Sequence, residues 1–143
     1  MPLHRPGRLW LYLGADTFDF QQSGPTVSGV TDATADHIVD FKDSENDRVK
    51  VVAPAGVVYG ETQGDATVVS VQTAIAWTAT HALNGTPGPD AFGPSNVVFV
   101  AGVNDGYLLV DANNNGAFGG GDYAIVLDGL NNLSFFGPQD VFS

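Results

Sequence analysis

The 143-residue chain has no cysteine. Disulfides and thiolate metal sites are therefore excluded. Basic residues are scarce: 5 Lys and Arg stand against 16 Asp and Glu, giving a formal net charge of -11. Such a chain repels nucleic acid and anionic lipid, so neither is expected as a partner. It also repels itself, which raises the question of which cation it holds. Long apolar runs are missing too, and nothing in the sequence approaches a membrane span. Catalytic signatures are equally thin. There is no HExxH, no GxSxG elbow and no phosphate loop, and His4, His37 and His81 lie far apart without ligand spacing. Carboxylates are too plentiful for their count alone to exclude a paired-carboxylate hydrolase, but the expectation is a protein that is not an enzyme.

What is present points to one β-rich domain. Hydrophobic residues make up 43% of the chain, with 18 Gly and 8 Pro. That composition supports a packed core with many tight turns. The apolar run Leu9 to Leu13 is too short for a signal-peptide core. Residues 1–13 read as a flexible N-terminal segment and 14–143 as a single domain.

Strands are expected at 17–20, 36–41, 48–53, 57–59, 96–103, 107–110 and 123–127, with a last irregular strand within 130–143. Asn104-Asp105-Gly106 marks a hairpin turn, because these residues accept positive φ. One helix is expected over 66–83. Val68, Val71, Ile75, Thr78 and Ala82 recur at helical spacing, Asp65 or Thr67 is placed to cap the start, and Asn84-Gly85 fits the end. The fold class is therefore mainly β (α+β), an antiparallel sheet with hairpins and one packed helix.

The segment DANNNGAFGGGD, from Asp111 to Asp122, matches the template of a calcium loop. Calcium is a hard cation that takes six to eight oxygens, and alternate residues of a curling loop supply them. Asp111, Asn113 and Asn115 occupy the first, third and fifth positions. Gly116 stands where the backbone must turn sharply. Ala117 would lend its carbonyl, Gly119 would leave room for a water, and Asp122 closes the loop. Phe118 is the apolar anchor. The closing residue is Asp rather than Glu, and the loop holds two formal charges, so affinity in the range of roughly 10⁻⁴–10⁻³ M is expected. The flanks have strand composition, which makes this a calcium-clasped hairpin rather than a helix-loop-helix. An Asn- and Gly-rich hairpin loop that needs no metal is the alternative.

Asp32, Asp36, Asp40, Asp43, Glu45 and Asp47 crowd a second region. Asp36, Asp40, Asp43 and Asp47 are its candidate metal ligands, against the alternative of a solvated acidic edge that blocks aggregation. His37 falls on the opposite strand face with Val39 and Phe41 and is read as packed.

These residues carry a family resemblance. Gly14-Ala15-Asp16-Thr17-Phe18 resembles the tail of an RTX (hemolysin-type) nonapeptide, the calcium repeat of bacterial type I secreted proteins. Asp36-His37-Ile38-Val39-Asp40-Phe41 and Asn46-Asp47-Arg48-Val49 are similar to the stretch that follows the last repeats. The strand before Asp111, the DANNNGAF loop, the strand from Tyr123 and Asn132-Leu133-Ser134 resemble the end of such C-terminal regions. Asp140-Val141-Phe142-Ser143 resembles the ending of type I secretion signals. Leu11 and Tyr12 stand where paired glycines belong, so half a repeat is left, a remnant β-roll turn. Lys50 stands where the family has an acidic residue.

The resemblance implies a secreted, extracellular, Ca2+-stabilised C-terminal module that carries its own export signal, with a type I exporter as partner. The rival is a surface adhesion or carbohydrate-binding module, facing cell-surface polysaccharide through Trp77, Tyr59 and Tyr107. A fragment of a secreted hydrolase is the third reading.

Overall fold

The computed structural model describes residues 8–9, 14–20, 31–53, 56–81, 95–116, 118 and 121–143. Its strands are β1 (Arg8–Leu9), β2 (Thr17–Asp19), β3 (Asp36–Ile38), β4 (Arg48–Lys50), β5 (Tyr59–Gln63), β6 (Val97–Ala101), β7 (Gly106–Val110), β8 (Tyr123–Leu127) and β9 (Val141–Phe142), with a single helix α1 (Val71–Thr80) between β5 and β6. The fold is mainly β. A six-stranded sheet has the order β1-β3-β8-β7-β6-β5, and a three-stranded sheet the order β2-β4-β9.

The pairing has a simple logic. β6, β7 and β8 form an antiparallel meander, with Val97 opposite Val110 and Val110 opposite Tyr123. This is the antiparallel sheet with hairpins that the sequence suggested. Around it the chain winds in parallel. β1, β3 and β8 pair in parallel in the larger sheet, and β2, β4 and β9 pair in parallel in the smaller one. Successive passes thus lay one strand in each sheet, as three stacked coils: β1 with β2, β3 with β4, β8 with β9. The remnant coil expected at the N-terminus is therefore one of three. β5 adds in parallel to β6 at the far edge of the larger sheet. Arg8–Leu9 pair with β3, so the first 13 residues do not all precede the folded domain.

Two cores result. Between the sheets lie Phe18, Ile38, Phe41, Val49, Phe99, Leu108, Ile125, Phe136 and Val141. Phe136 anchors this core, 5.0 Å from the Phe99 ring and 5.3 Å from Phe41. On the other face α1 covers the sheet, with Val71 and Ala74 against Val98, Val100, Leu109 and Val126. Every residue of β6, β7 and β8 is buried. Burial on both faces explains why these strands are continuous apolar runs.

The helix is shorter than the expected 66–83. Ser70 caps it, accepting from the Thr73 N–H at 3.1 Å while the Thr73 hydroxyl accepts from the Ser70 N–H at 2.9 Å. This Ser-x-x-Thr box sets the start. Asp65, one of the expected caps, instead closes a turn on Thr67. The segment 65–69, with its β-branched residues, stays irregular, although Val68 is fully buried. The α1 helix runs to Thr80, and the expected stop Asn84-Gly85 and Ala82 lie outside the described residues. Asp32 also serves this helix, accepting from the Val71 N–H at 2.7 Å, where the helix dipole favours a negative charge.

The turn between β6 and β7 forms as expected, but Asn104 and Asp105 do not adopt positive φ. Gly106 is required for close approach instead. A Cβ there would meet the Phe99 ring at 2.5 Å and the Leu130 carbonyl at 2.6 Å. Among the described residues no helix is long and apolar enough to cross a membrane.

Candidate metal centre

The loop from Asp111 to Asp122 connects β7 to β8, so the flanks are strands as expected. Asp111 follows directly on β7 and Asp122 directly precedes β8, which fixes both carboxylates at the mouth of a buried hairpin. Asp111 is 1% exposed and Asp122 7%. Burying two like charges here is tolerable only because each is hydrogen-bonded.

The loop curls around Asp111. Its Oδ1 accepts from the Asn115 N–H at 3.2 Å and its Oδ2 from the Gly116 N–H at 2.8 Å. Asn113 Oδ1 also accepts from the Asn115 N–H, at 3.1 Å. Asp122 Oδ1 accepts from the N–H groups of Ala112 at 2.9 Å and Asn113 at 3.5 Å. Asn114 and Gly116 take left-handed φ values of 56° and 83°, and these make the sharp turn that the glycine at the sixth position announced. Asn113 and Asn115 are exposed. Phe118 packs against the cluster beneath α1, as an anchor should. Ala117 and Gly119 lie outside the described residues.

The donor set suits a hard cation. The loop gathers Asp111, Asn113 and Asp122 around the N–H groups of residues 112–116. An ionised carboxylate offers about four acceptor directions. The N–H bonds use two of those on Asp111, so capacity for an ion is left there. The same bonds also hold the loop without one.

The second candidate set runs along the chain from β3 to the start of β4. Asp36 sits in β3, opposite Ile125 and fully buried. Asp47, also buried, accepts from the Asp16 N–H at 3.0 Å and the Lys42 N–H at 2.8 Å. Asp16 faces Asp47, Asp40 and Glu45; partial desolvation and then these charges push its carboxyl above the usual range. Asp43 lies close to Asp140 and helps raise its carboxyl. Asp40 and Asp47 of the expected set both lie near Asp16. Asp16 and Glu45, outside the expected set, join them.

A sequence signal for that meeting existed. Asp16-Thr17-Phe18 and Asp47-Arg48-Val49 share one phase, and Phe18 pairs with Val49 in the register. Among the described residues no group of three or more His, Asp and Glu side chains has metal-holding geometry. His37 is not merely packed, since its Nδ1 lies 2.8 Å from Asp128 Oδ1.

The C-terminal residues are built into the structure. Asp140 is 2% exposed, and its Oδ2 accepts from the Gly137 N–H at 2.8 Å. Burial, and then the Asp43 carboxyl, push its pKa up to about 7 against the opposing Gly137 bond. Val141 is buried in β9, and Phe142 lies beneath the Arg48 guanidinium, 4.0 Å from its ring centre.

The aromatics considered for a stacking face are dispersed. Tyr107 is 2% exposed, Tyr59 packs on Phe136, and Trp77 donates its Nε1–H to Thr62. No protein family, curated protein or solved structure matches the chain.

Proposed function

We propose that this chain is a calcium-stabilised, non-enzymatic C-terminal module of an extracellular protein exported by a type I system, similar to the RTX class. The observation that carries the reading is the closed loop at residues 111–122. There Asp111 and Asp122 are held inward at the mouth of one hairpin with Asn113 between them. Asp111, Asn113, Asn115 and Asp122 would hold the ion by their side-chain oxygens, with Ala117 as a carbonyl donor. Bound calcium would supply a hard positive centre that offsets local carboxylate repulsion.

The three stacked parallel coils support the same reading, because the half-repeat Gly14–Phe18 lies in the first of them. So does the charge of -11, which keeps the chain loose where calcium is scarce. Outside the cell, calcium binds the folded form and shifts the balance by mass action. Residues 140–143 would act as a linear export signal before folding, since Asp140 and Val141 are buried afterwards.

The test is a thermal melt in millimolar calcium against chelator at matched ionic strength. The expected result is a higher melting temperature with calcium than with magnesium. Equal temperatures in all three conditions would remove the metal from the account.

A further inference from the structure

The smaller sheet ends at β9, and among the described residues no strand pairs with its outer edge. The Phe142 carbonyl accepts from the Val51 N–H at 2.8 Å, so Phe142 turns its backbone groups toward β4. Strand alternation then turns those of Val141 outward. Beyond this edge the larger sheet continues through β6 to β5, and a groove of about 740 Å³ opens between them. Val57, Val58 and Glu61 line one side, and Pro138, Val141 and Phe142 the other. Val58 is 47% exposed.

We infer that this groove binds an extended peptide, laid along β9 as a fourth strand of the smaller sheet, whose groove-facing side chains, every second residue, run apolar, basic, apolar. The backbone argument is the open edge, since an extended chain recovers hydrogen bonds there. The lining of Val57, Pro138 and Val141 takes the apolar side chains that flank the basic one on the groove-facing side of the added strand. The charge argument is Glu61. Tyr59 packs inward on Phe136, and Glu61, two residues on, shares its face. Desolvation holds the Glu61 carboxyl above its usual range. Neither ion pair among the described residues includes it. A Lys or Arg at that register would supply the missing counter-charge. A second copy of this chain, with its charge of -11, fits far less well. The inference is independent of the calcium reading, because the groove and the 111–122 loop share no residue.

The probe is a fluorescein-labelled, end-capped hexapeptide of sequence Val-Thr-Lys-Thr-Val-Thr, which puts Val, Lys and Val on one face. Binding is followed by anisotropy at physiological ionic strength with calcium present. Saturable binding is expected, weakened at least about tenfold by Glu61→Lys. N-methylation of alternate peptide bonds should weaken it similarly, and the same peptide with Glu in place of Lys should not bind. Equal affinity for the N-methylated peptide overturns the inference and leaves only general attraction to an acidic surface. So does unchanged affinity in Glu61→Lys, or no saturable binding. A dimer in sedimentation that the peptide fails to displace assigns the groove to a second copy and also overturns it. If Glu61→Lys fails to fold, judged by circular dichroism, Glu61→Gln serves in its place with the same direction expected.

Discussion

Replacing Asp111 by Asn separates the two roles of that carboxylate. Asp111 accepts from the Asn115 and Gly116 N–H groups. Asparagine keeps one acceptor oxygen and loses the charge. A hydrogen bond to a charged group is worth about 1.5–3 kcal/mol. Both donors sit in an exposed part of the loop, where water replaces some of the loss, so about 1.5 kcal/mol is expected in chelator. Calcium adds a separate term. At about ten times its dissociation constant, one site stabilises the folded wild type by about 1.4 kcal/mol. The variant, left with one formal charge in the loop, gains none of it. The stability gap should therefore widen from about 1.5 kcal/mol in chelator to about 3 kcal/mol in calcium. At about 4 °C per kcal/mol for a chain of this length, the Tm gap grows from about 6 to about 12 °C. Urea denaturation followed by tryptophan fluorescence measures both gaps, with magnesium as the control for charge screening. A gap of the same size with and without calcium would refute the role of Asp111 as a ligand while leaving its role as a brace.

Three further changes probe the scaffold. Gly106→Ala drives a methyl into the Phe99 ring and the Leu130 carbonyl, and should cost about 1–3 kcal/mol in urea denaturation. Ser70→Ala removes the side-chain half of the capping box and should cost about 1 kcal/mol, with loss of amide protection confined to the first turn of α1. The Asp140 carboxyl is raised in the folded state to about 7 from 3.8, so the folded chain holds this proton more tightly than the unfolded chain. Its contribution is fully present below about pH 4 and is lost as pH rises through 7. Wild type minus Asp140→Asn, measured in chelator, should therefore decline between pH 4 and 8, and a flat difference would contradict a buried Asp140 that holds its proton in the folded state.

Much of this fold was legible. The apolar runs that became β6, β7 and β8 stand out because burial on both faces leaves no polar position in them. The helix was legible in place but not in length. Val68 fits its spacing and Thr67 was a candidate cap, yet Ser70 and Thr73 form the stronger stop at its start. β5, with the sequence YGETQ, has no apolar pattern. It is a strand because β6 pairs with it along five residues.

The coil winding was visible only through Asp16-Thr17-Phe18. Parallel pairing joins residues far apart in sequence, which no local pattern encodes. At the candidate centre, the alternation of Asp111, Asn113 and Asn115 and the turn at Gly116 could be read directly, because each position has a local geometric duty. The acidic stretch 36–47 could not. Whether its carboxylates converge depends on which coil each one faces, and the fold sends Asp43 to Asp140 and Asp40 and Asp47 toward Asp16.

The most direct measurement is a residue-resolved amide titration with calcium by heteronuclear NMR. The amides of Ala112, Asn113, Asn115 and Gly116 should shift together along one saturable curve, with a midpoint of roughly 10⁻⁴–10⁻³ M. Silence at those amides up to saturating calcium, or a response centred instead on Asp16 and Asp47, would contradict the proposal that this hairpin loop is where the ion sits.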